Sequence, residues 1–290
     1  RPDVLIYSSM ANAAVISGLL PLEWQSIPSA MYMHENQLLY TAYVKSGQRP
    51  KRSPELEIIN ILSCLAVDQI WFNSTFHRKS FLAAIPEFLS RFPDYTWVDR
   101  VDEIEQKAEL LYVGIEAPEP NALSGSFSQA TTHTPIILWN HRWDFDKDPA
   151  AFFNLLIRLS DRGIPFRLIA TGEMTTYDPK FITDVRRRLS QHIVHWGYVE
   201  DKKTYYQYLH QADVLPVTSR QEFFGISVVE AIARGVFPLL PHRLAYPEHI
   251  PEAFHEAHLY KGMKELEAKL AVYLQRPQSL PAEIEAHISR

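Results

Sequence analysis

Short apolar runs alternate with helix-period segments along this chain, and the alternation occurs twice. Strand-like runs fall at 4–7, 30–33, 69–72 and 110–113, with helical patterns at 55–66 and 75–85 between them. A second series follows, with strands at 135–139, 166–170, 193–196, 214–217 and 237–240 and helices at 148–160, 179–189, 203–210 and 226–233. Pro149 stands at a first-turn position, where its missing N–H leaves no bond unmade. Runs rich in Ile, Leu and Val belong to strands buried on both faces, and amphipathic helices between them dictate parallel βαβ units with both sheet faces covered. The expected fold class is α/β, built as two successive doubly wound domains. The stretch 117–134, made of Pro, Ser, Gly, Thr and Asn with little apolar periodicity, marks their boundary. It gives a first domain over 1–125 and a second over 126–290. The first shows about four strands where a complete half of this kind has about six, so it is expected to be incomplete, short of an amino-terminal strand and its glycine-rich loop. Opening on Arg1-Pro2-Asp3 without a methionine, the chain reads as a piece of a longer or processed protein.

Length agrees with two domains, since 290 residues exceed one ordinary core. A single cysteine, Cys64, excludes a disulfide scaffold and a Cys-rich zinc module and points to a reducing, cytoplasmic setting. The longest apolar stretch, 10–22, is broken by Asn12, Ser17, Gly18 and Pro21 and falls short of the ~20 residues a membrane-crossing helix needs. Net charge is −5: residues 1–131 hold 10 Lys+Arg against 15 Asp+Glu, and the remainder 19 against 19. Neither half has the basic excess of a dedicated nucleic-acid binder, which leaves only a local patch for such a partner.

Open α/β sheets bind ligands at the carboxyl ends of their strands, so two such edges facing each other across a cleft would make a two-substrate site. Residues that follow strands are the candidates. Glu222-Phe223-Phe224-Gly225-Ile226 follows the run 214–217, and a helix starting there would aim unpaired amides at an anion. Glu222 precedes that start and Glu230 lies about one and a half turns into the helix. Carboxylates repel a phosphate but suit hydroxyls on either side of it; alternatively, Glu222 caps the helix and Glu230 is solvated. Arg142 and Lys147 follow the run 135–139 and together offer a planar fork and a mobile cation, a clamp for a diphosphate. Their alternative role is a surface ion-pair loop with Asp144, Asp146 and Asp148. His34 stands at the end of 30–33, where it can reach a sugar hydroxyl or a departing phosphate; no second His lies at i+4 spacing, so no metal site is expected. Asn73 and Ser74 open a helix, as plain N-caps or as additional phosphate contacts. Gly172 and Tyr198 each end a strand, as turn and packing residues or as walls of a nucleotide site. Arg186-Arg187-Arg188 reads as a solvated helix face.

Glu-x7-Glu after a strand, with Phe-Gly inside it, resembles the retaining GT-B glycosyltransferases of family 4. The resemblance implies a GT-B fold, two Rossmann-like domains facing across a cleft. It implies that Glu222 contacts the transferred sugar, Glu230 the ribose, and the amides at Phe224, Gly225 and Ile226 the diphosphate, with Arg142 and Lys147 as its Arg-x4-Lys clamp. A narrower set is carried by His34-Glu35-Asn36-Gln37-Leu38, Asn73-Ser74-Thr75-Phe76, the run from Asn140 to Pro149, His195-Trp196-Gly197-Tyr198 and Glu222-Phe223-Phe224-Gly225. As an ordered set, over most of 28–250, it is similar to the tRNA-queuosine α-mannosyltransferase family. That similarity implies transfer of mannose from GDP-mannose, or another nucleoside diphosphate sugar, to a queuosine base in tRNA. It implies no cofactor and no metal, with His34, Arg142, Lys147 and Glu222 catalytic, and Asn73, Ser74, Gly172, Tyr198, Phe224, Gly225, Ile226 and Glu230 binding substrate. A tRNA acceptor needs phosphate contacts, and Lys45, Arg49, Lys51 and Arg52 are four cations in an otherwise acidic half; on charge alone they are a solubilising loop. The other readings are a GT-B-like nucleotide-sugar or RNA-binding module without activity, and a hexosyltransferase with a lipid or glycan acceptor. A lipid acceptor would favour a basic amphipathic face on the first domain, and the sequence has none.

Overall fold

The computed structural model describes residues 1–39, 54–93, 100–117, 134–173 and 177–289. These residues divide into two units, Arg1–Gly114 and Ile115–Arg290.

In the first unit, β1 (Leu5–Ser8), β2 (Ser29–Met33), β3 (Gln69–Phe72) and β4 (Ala108–Leu110) form a sheet in that order, every pair parallel. The connecting helices are α1 (Ala13–Leu19), α2 (Pro54–Ala66), α3 (Thr75–Leu89) and α4 (Val101–Lys107). Register places Met31 beside Ile70 and Met33 beside Phe72, four side chains that share one core with Phe81 and Ile85 of α3. Two expectations are corrected. The helix expected to stop before Pro86 runs on to Leu89, because the turn after the proline buries Phe88 and Leu89. The strand expected at 110–113 is β4, at 108–110: α4 runs directly into it, Ala108 is its buried residue, and the apolar Leu111 and Tyr112 that marked the run are exposed.

The second unit holds β5 (Ile136–Trp139), α5 (Pro149–Asp161), β6 (Arg167–Ala170), α6 (Pro179–Arg188), β7 (Ile193–Trp196), α7 (Lys202–Gln211), β8 (Val214–Pro216), α8 (Ile226–Ile232), β9 (Phe237–Pro241), α9 (His255–His258), β10 (Leu259–Tyr260), α10 (Met263–Gln275) and α11 (Ala282–Ile288). Its parallel sheet runs β10-β9-β8-β5-β6-β7. Alternate strand residues feed two cores. Ile137, Trp139 and Leu168 face Phe152 and Leu156 of α5 and Leu270 of α10. Leu138, Ile169 and Leu215 face Val228 and Ile232 of α8 and Ile284 of α11. Helices cover both faces, which is why most of these strands read as apolar runs. Strand order reverses between β5 and β8, and ligands of such sheets lie outside the carboxyl ends at that switch point. The sequence expectation carries no element beyond residue 240, so α9, β10, α10 and α11 are additions, as are α1 and α4 in the first unit.

Candidate active site

The loops that follow β5 and β8 meet at this switch point and are tied to each other. Thr218 Oγ1 donates to the carbonyls of Lys147 (2.9 Å) and Asp148 (3.1 Å), and the Arg220 amide donates to the Asp146 carbonyl at 2.7 Å. Arg220 also pairs with Asp148 at 2.7 Å. Asp148 adopts left-handed backbone (φ 51°) and caps α5 by accepting from the Ala151 amide. Between Arg142 and Lys147, the fully buried Trp143 stacks on Phe153 of α5 at 4.3 Å and anchors the loop to the core. Gly172, after β6, completes the support: a Cβ there would lie 1.7 Å from the His141 carbonyl oxygen.

Lys147 and Glu222, far apart in sequence, are in direct contact. Lys147 Nζ lies 3.0 Å from Glu222 Oε2 and 2.9 Å from Asp146 Oδ2. Burial opposes the charge on Lys147, but Glu222 and Asp146 outweigh it and hold its pKa above the ordinary lysine value. Burial likewise pushes the Glu222 carboxyl up; Lys147 and the amides of Phe223 and Phe224, which donate to Oε1 at 3.1 and 3.3 Å, more than reverse that and keep it low. Glu222 is thus an ionised acceptor with lone pairs to spare, unsuited to giving up a proton. Of the three aspartates expected to neutralise the loop cations, Asp146 pairs with Lys147, Asp148 with Arg220, and Asp144 caps the Phe145 amide.

Arg142, Gly172 and Tyr198 line one cavity of about 490 Å³, together with Asn140, Glu200 and Tyr205. Arg142 and Tyr198 are exposed there. Glu230, on α8, accepts from Tyr205 Oη at 3.1 Å, and Asn140 Nδ2 donates both to Tyr205 Oη (3.2 Å) and to the Ser227 carbonyl (2.7 Å). Beside Asn140, burial presses the His141 pKa down to about 3, with Lys147 adding to the effect. Asn140 Oδ1, His141 Nε2 and Asp146 Oδ1 are buried without a hydrogen-bond partner among the described residues. Such groups are costly in a folded protein, and a polar ligand would supply the missing partners.

Gly225 is the N-cap of α8 at φ 93°, a conformation that favours glycine, and a Cβ there would press on Tyr246 and Glu222. Only the Ile226 and Ser227 amides lack an acceptor inside the helix, since those of Val228 and Val229 donate to the Gly225 carbonyl (2.9 and 3.1 Å), and Ile226 is exposed. Phe224 is held from behind, since His249 bonds its carbonyl oxygen at 2.6 Å and meets its ring edge-on.

In the first unit, His34 follows β2, is exposed, and has Nδ1 3.0 Å from Ser9 Oγ. Asn73 donates weakly to the His34 carbonyl (3.5 Å) and meets His77 Nδ1 at 2.8 Å. Ser74 N-caps α3, accepting from the His77 amide. These three stand on the carboxyl edge of the first sheet. Lys45, Arg49, Lys51 and Arg52 lie outside the described residues. Within those described, no cluster of three or more metal-ligating side chains occurs, and no helix is long and apolar enough to cross a membrane. The Arg186–Arg188 run carries exposed ion pairs to Asp184 and Asp161.

Sequence reasoning missed Tyr205 and His249 altogether and gave Asn140 and Asp146 no role in binding. Asn140 and Asp146 sit in the loop after a strand, a position that could have singled them out. Tyr205 and His249 act through partners 25 residues away, for which the sequence offers no local signal.

Two family models match the chain. One, described as tRNA-queuosine alpha-mannosyltransferase N-terminal, covers residues 1–115; the other, glycosyl transferases group 1, covers 127–286. The tRNA-queuosine alpha-mannosyltransferase of Drosophila melanogaster is 30% identical over 280 residues, 95% of this chain and 72% of that protein. Among solved structures, Anabaena HepE in complex with UDP superposes with a TM-score of 0.66 at 14% identity, over 99% of this chain and 74% of that one. Sucrose-phosphate synthase from Thermosynechococcus elongatus superposes at 0.68 and 15% identity, over 99% and 69%. At such identities the likeness is one of fold, and the fold is GT-B.

Proposed function

We propose that this chain, which belongs to the tRNA-queuosine alpha-mannosyltransferase family, moves mannose from GDP-mannose to the queuosine base of a tRNA with retention of configuration. It is a glycosyltransferase, since the glycosyl transferases group 1 model spans most of the second unit. The observation that carries the finer reading is the meeting of the Arg142–Lys147 loop with the Glu222–Glu230 segment at one switch point, joined by the 3.0 Å contact of Lys147 with Glu222.

A nucleoside diphosphate sugar suits that geometry. Arg142 and the first amides of α8 take the diphosphate. Lys147, which spends its donors on Asp146, Glu222 and a long contact to the Gln221 carbonyl, turns its weakest bond to a phosphate oxygen. Cations and amides already in place stabilise the charge that grows on the leaving diphosphate, the point at which preorganised donors lower a barrier most. Glu222 accepts from a hydroxyl of the sugar and Glu230 from the ribose. The departing phosphate guides the incoming hydroxyl, and His34 and Ser74, on the carboxyl edge of the first unit's sheet, are the proposed substrate contacts of that unit. Tyr198 and Gly172 bound the nucleotide's cavity. Lys45, Arg49, Lys51 and Arg52 are the proposed tRNA contacts, and the proposed setting is the cytoplasm.

Mass spectrometry of nucleosides from queuosine-containing tRNA incubated with the protein and GDP-mannose tests this. Queuosine should gain one hexose, and Glu222→Ala should lower the rate by on the order of a hundredfold or more while the protein stays folded. Unmodified queuosine with the unaltered protein, or an undiminished rate in the variant, would overturn it.

A further inference from the structure

We propose that Tyr205 is a positioning residue for Glu230: backed by Asn140, it holds one carboxylate oxygen and leaves the other to read the vicinal hydroxyls of the donor's ribose. The inference rests on the reading above, in which Glu230 meets the ribose.

The polarity of the chain Asn140–Tyr205–Glu230 follows from its ends. The Ser227 carbonyl can only accept, so the Asn140 atom 2.7 Å from it must be the amide nitrogen. That nitrogen has two hydrogens; the second goes to Tyr205 Oη at 3.2 Å and occupies a phenolic lone pair. The phenolic proton is then left for Glu230 Oε2, at 3.1 Å. Every link has one direction, and a carboxylate is the partner that strengthens the last of them.

Placement supports the role. Asn140 ends β5, Tyr205 stands on α7, and Glu230 and Ser227 stand on α8, so three elements fix one carboxylate. The fully buried guanidinium of Arg234 steadies the backbone beneath it by donating to the Glu230 carbonyl at 3.0 Å. Asn140 and Tyr205 line the same cavity as Arg142 and Tyr198. A glutamate held in one rotamer before binding has less freedom to lose when the ligand arrives, which raises affinity without a new contact.

The test is isothermal titration with GDP or UDP, whichever the unaltered protein binds more tightly, and with its 2′-deoxy counterpart. Tyr205→Phe keeps the ring and removes only the hydroxyl. It should weaken the ribonucleotide by on the order of tenfold and the deoxynucleotide little, narrowing the ratio between them. Glu230→Gln should narrow the ratio as well, and Tyr205→Phe added to it should have no further effect, the signature of two residues acting as one. In turnover, the KM for the nucleotide sugar should rise with kcat nearly kept. An unchanged ratio in Tyr205→Phe, an equal loss for both nucleotides, or additive losses in the double variant would overturn the positioning role alone. Failure of the unaltered protein to bind either nucleotide would overturn the donor reading and this inference with it.

Discussion

Gly172 carries the tightest constraint on any single residue of the site, because the His141 carbonyl occupies the space of its missing side chain. Gly172→Ala must push the Arg142 loop away from β6, at a cost of about 1–3 kcal/mol for overpacking, with weaker nucleotide binding as the second effect. Urea denaturation and nucleotide titration check this; an unchanged midpoint with unchanged affinity would contradict it. Residues of this kind were legible in the sequence, since Arg142, Lys147, Gly172, Glu222 and Gly225 all follow strands, and strand ends could be read from the apolar runs. Their partners were not. Lys147 and Glu222 are 75 residues apart, and no local pattern announces their contact, which sits beside the ion pair of Lys147 with Asp146. Ser74 is similar: its N-cap is visible, and any bond to phosphate would come in addition.

Among elements, the second unit followed its sequence closely up to β9 because its strands are mostly apolar and the helices between them are amphipathic. The first unit followed less closely where local pattern and tertiary burial disagree, as in the continuation of α3 past Pro86 and the start of β4 at Ala108. The helix α10 was legible and went unread: Leu266, Leu270, Tyr273 and Leu274 stand at one-face helical spacing and are buried in the core it shares with α5, beside β9 and β10. Leu266→Ala should therefore cost about 2–5 kcal/mol, as cavity-forming changes in a core do. Chemical denaturation decides it, and a loss below about 1 kcal/mol would mean that α10 is not part of the second unit's core.

For the whole molecule, buried histidines set the response to acid. His77 and His141 each have the pKa pressed from 6.5 to about 3, in both cases chiefly by burial. The folded protein refuses protons that the unfolded chain accepts below pH 6.5, so stability is full above that value and falls as pH drops toward 3. Melting temperatures should decline between pH 7 and pH 5, before most carboxylates titrate; a flat profile over that interval would contradict the burial of these rings. The larger claim is that the carboxyl edge of the second sheet holds one nucleotide sugar. A crystal structure of the protein with GDP-mannose tests it most directly. Diphosphate oxygens should lie within hydrogen-bond reach of Arg142, Lys147 and the amides at Gly225 and Ile226, with the ribose on Glu230 and the hexose on Glu222. A nucleotide seated elsewhere, as in the cavity beside His242 and Lys261, with those groups untouched, would contradict it.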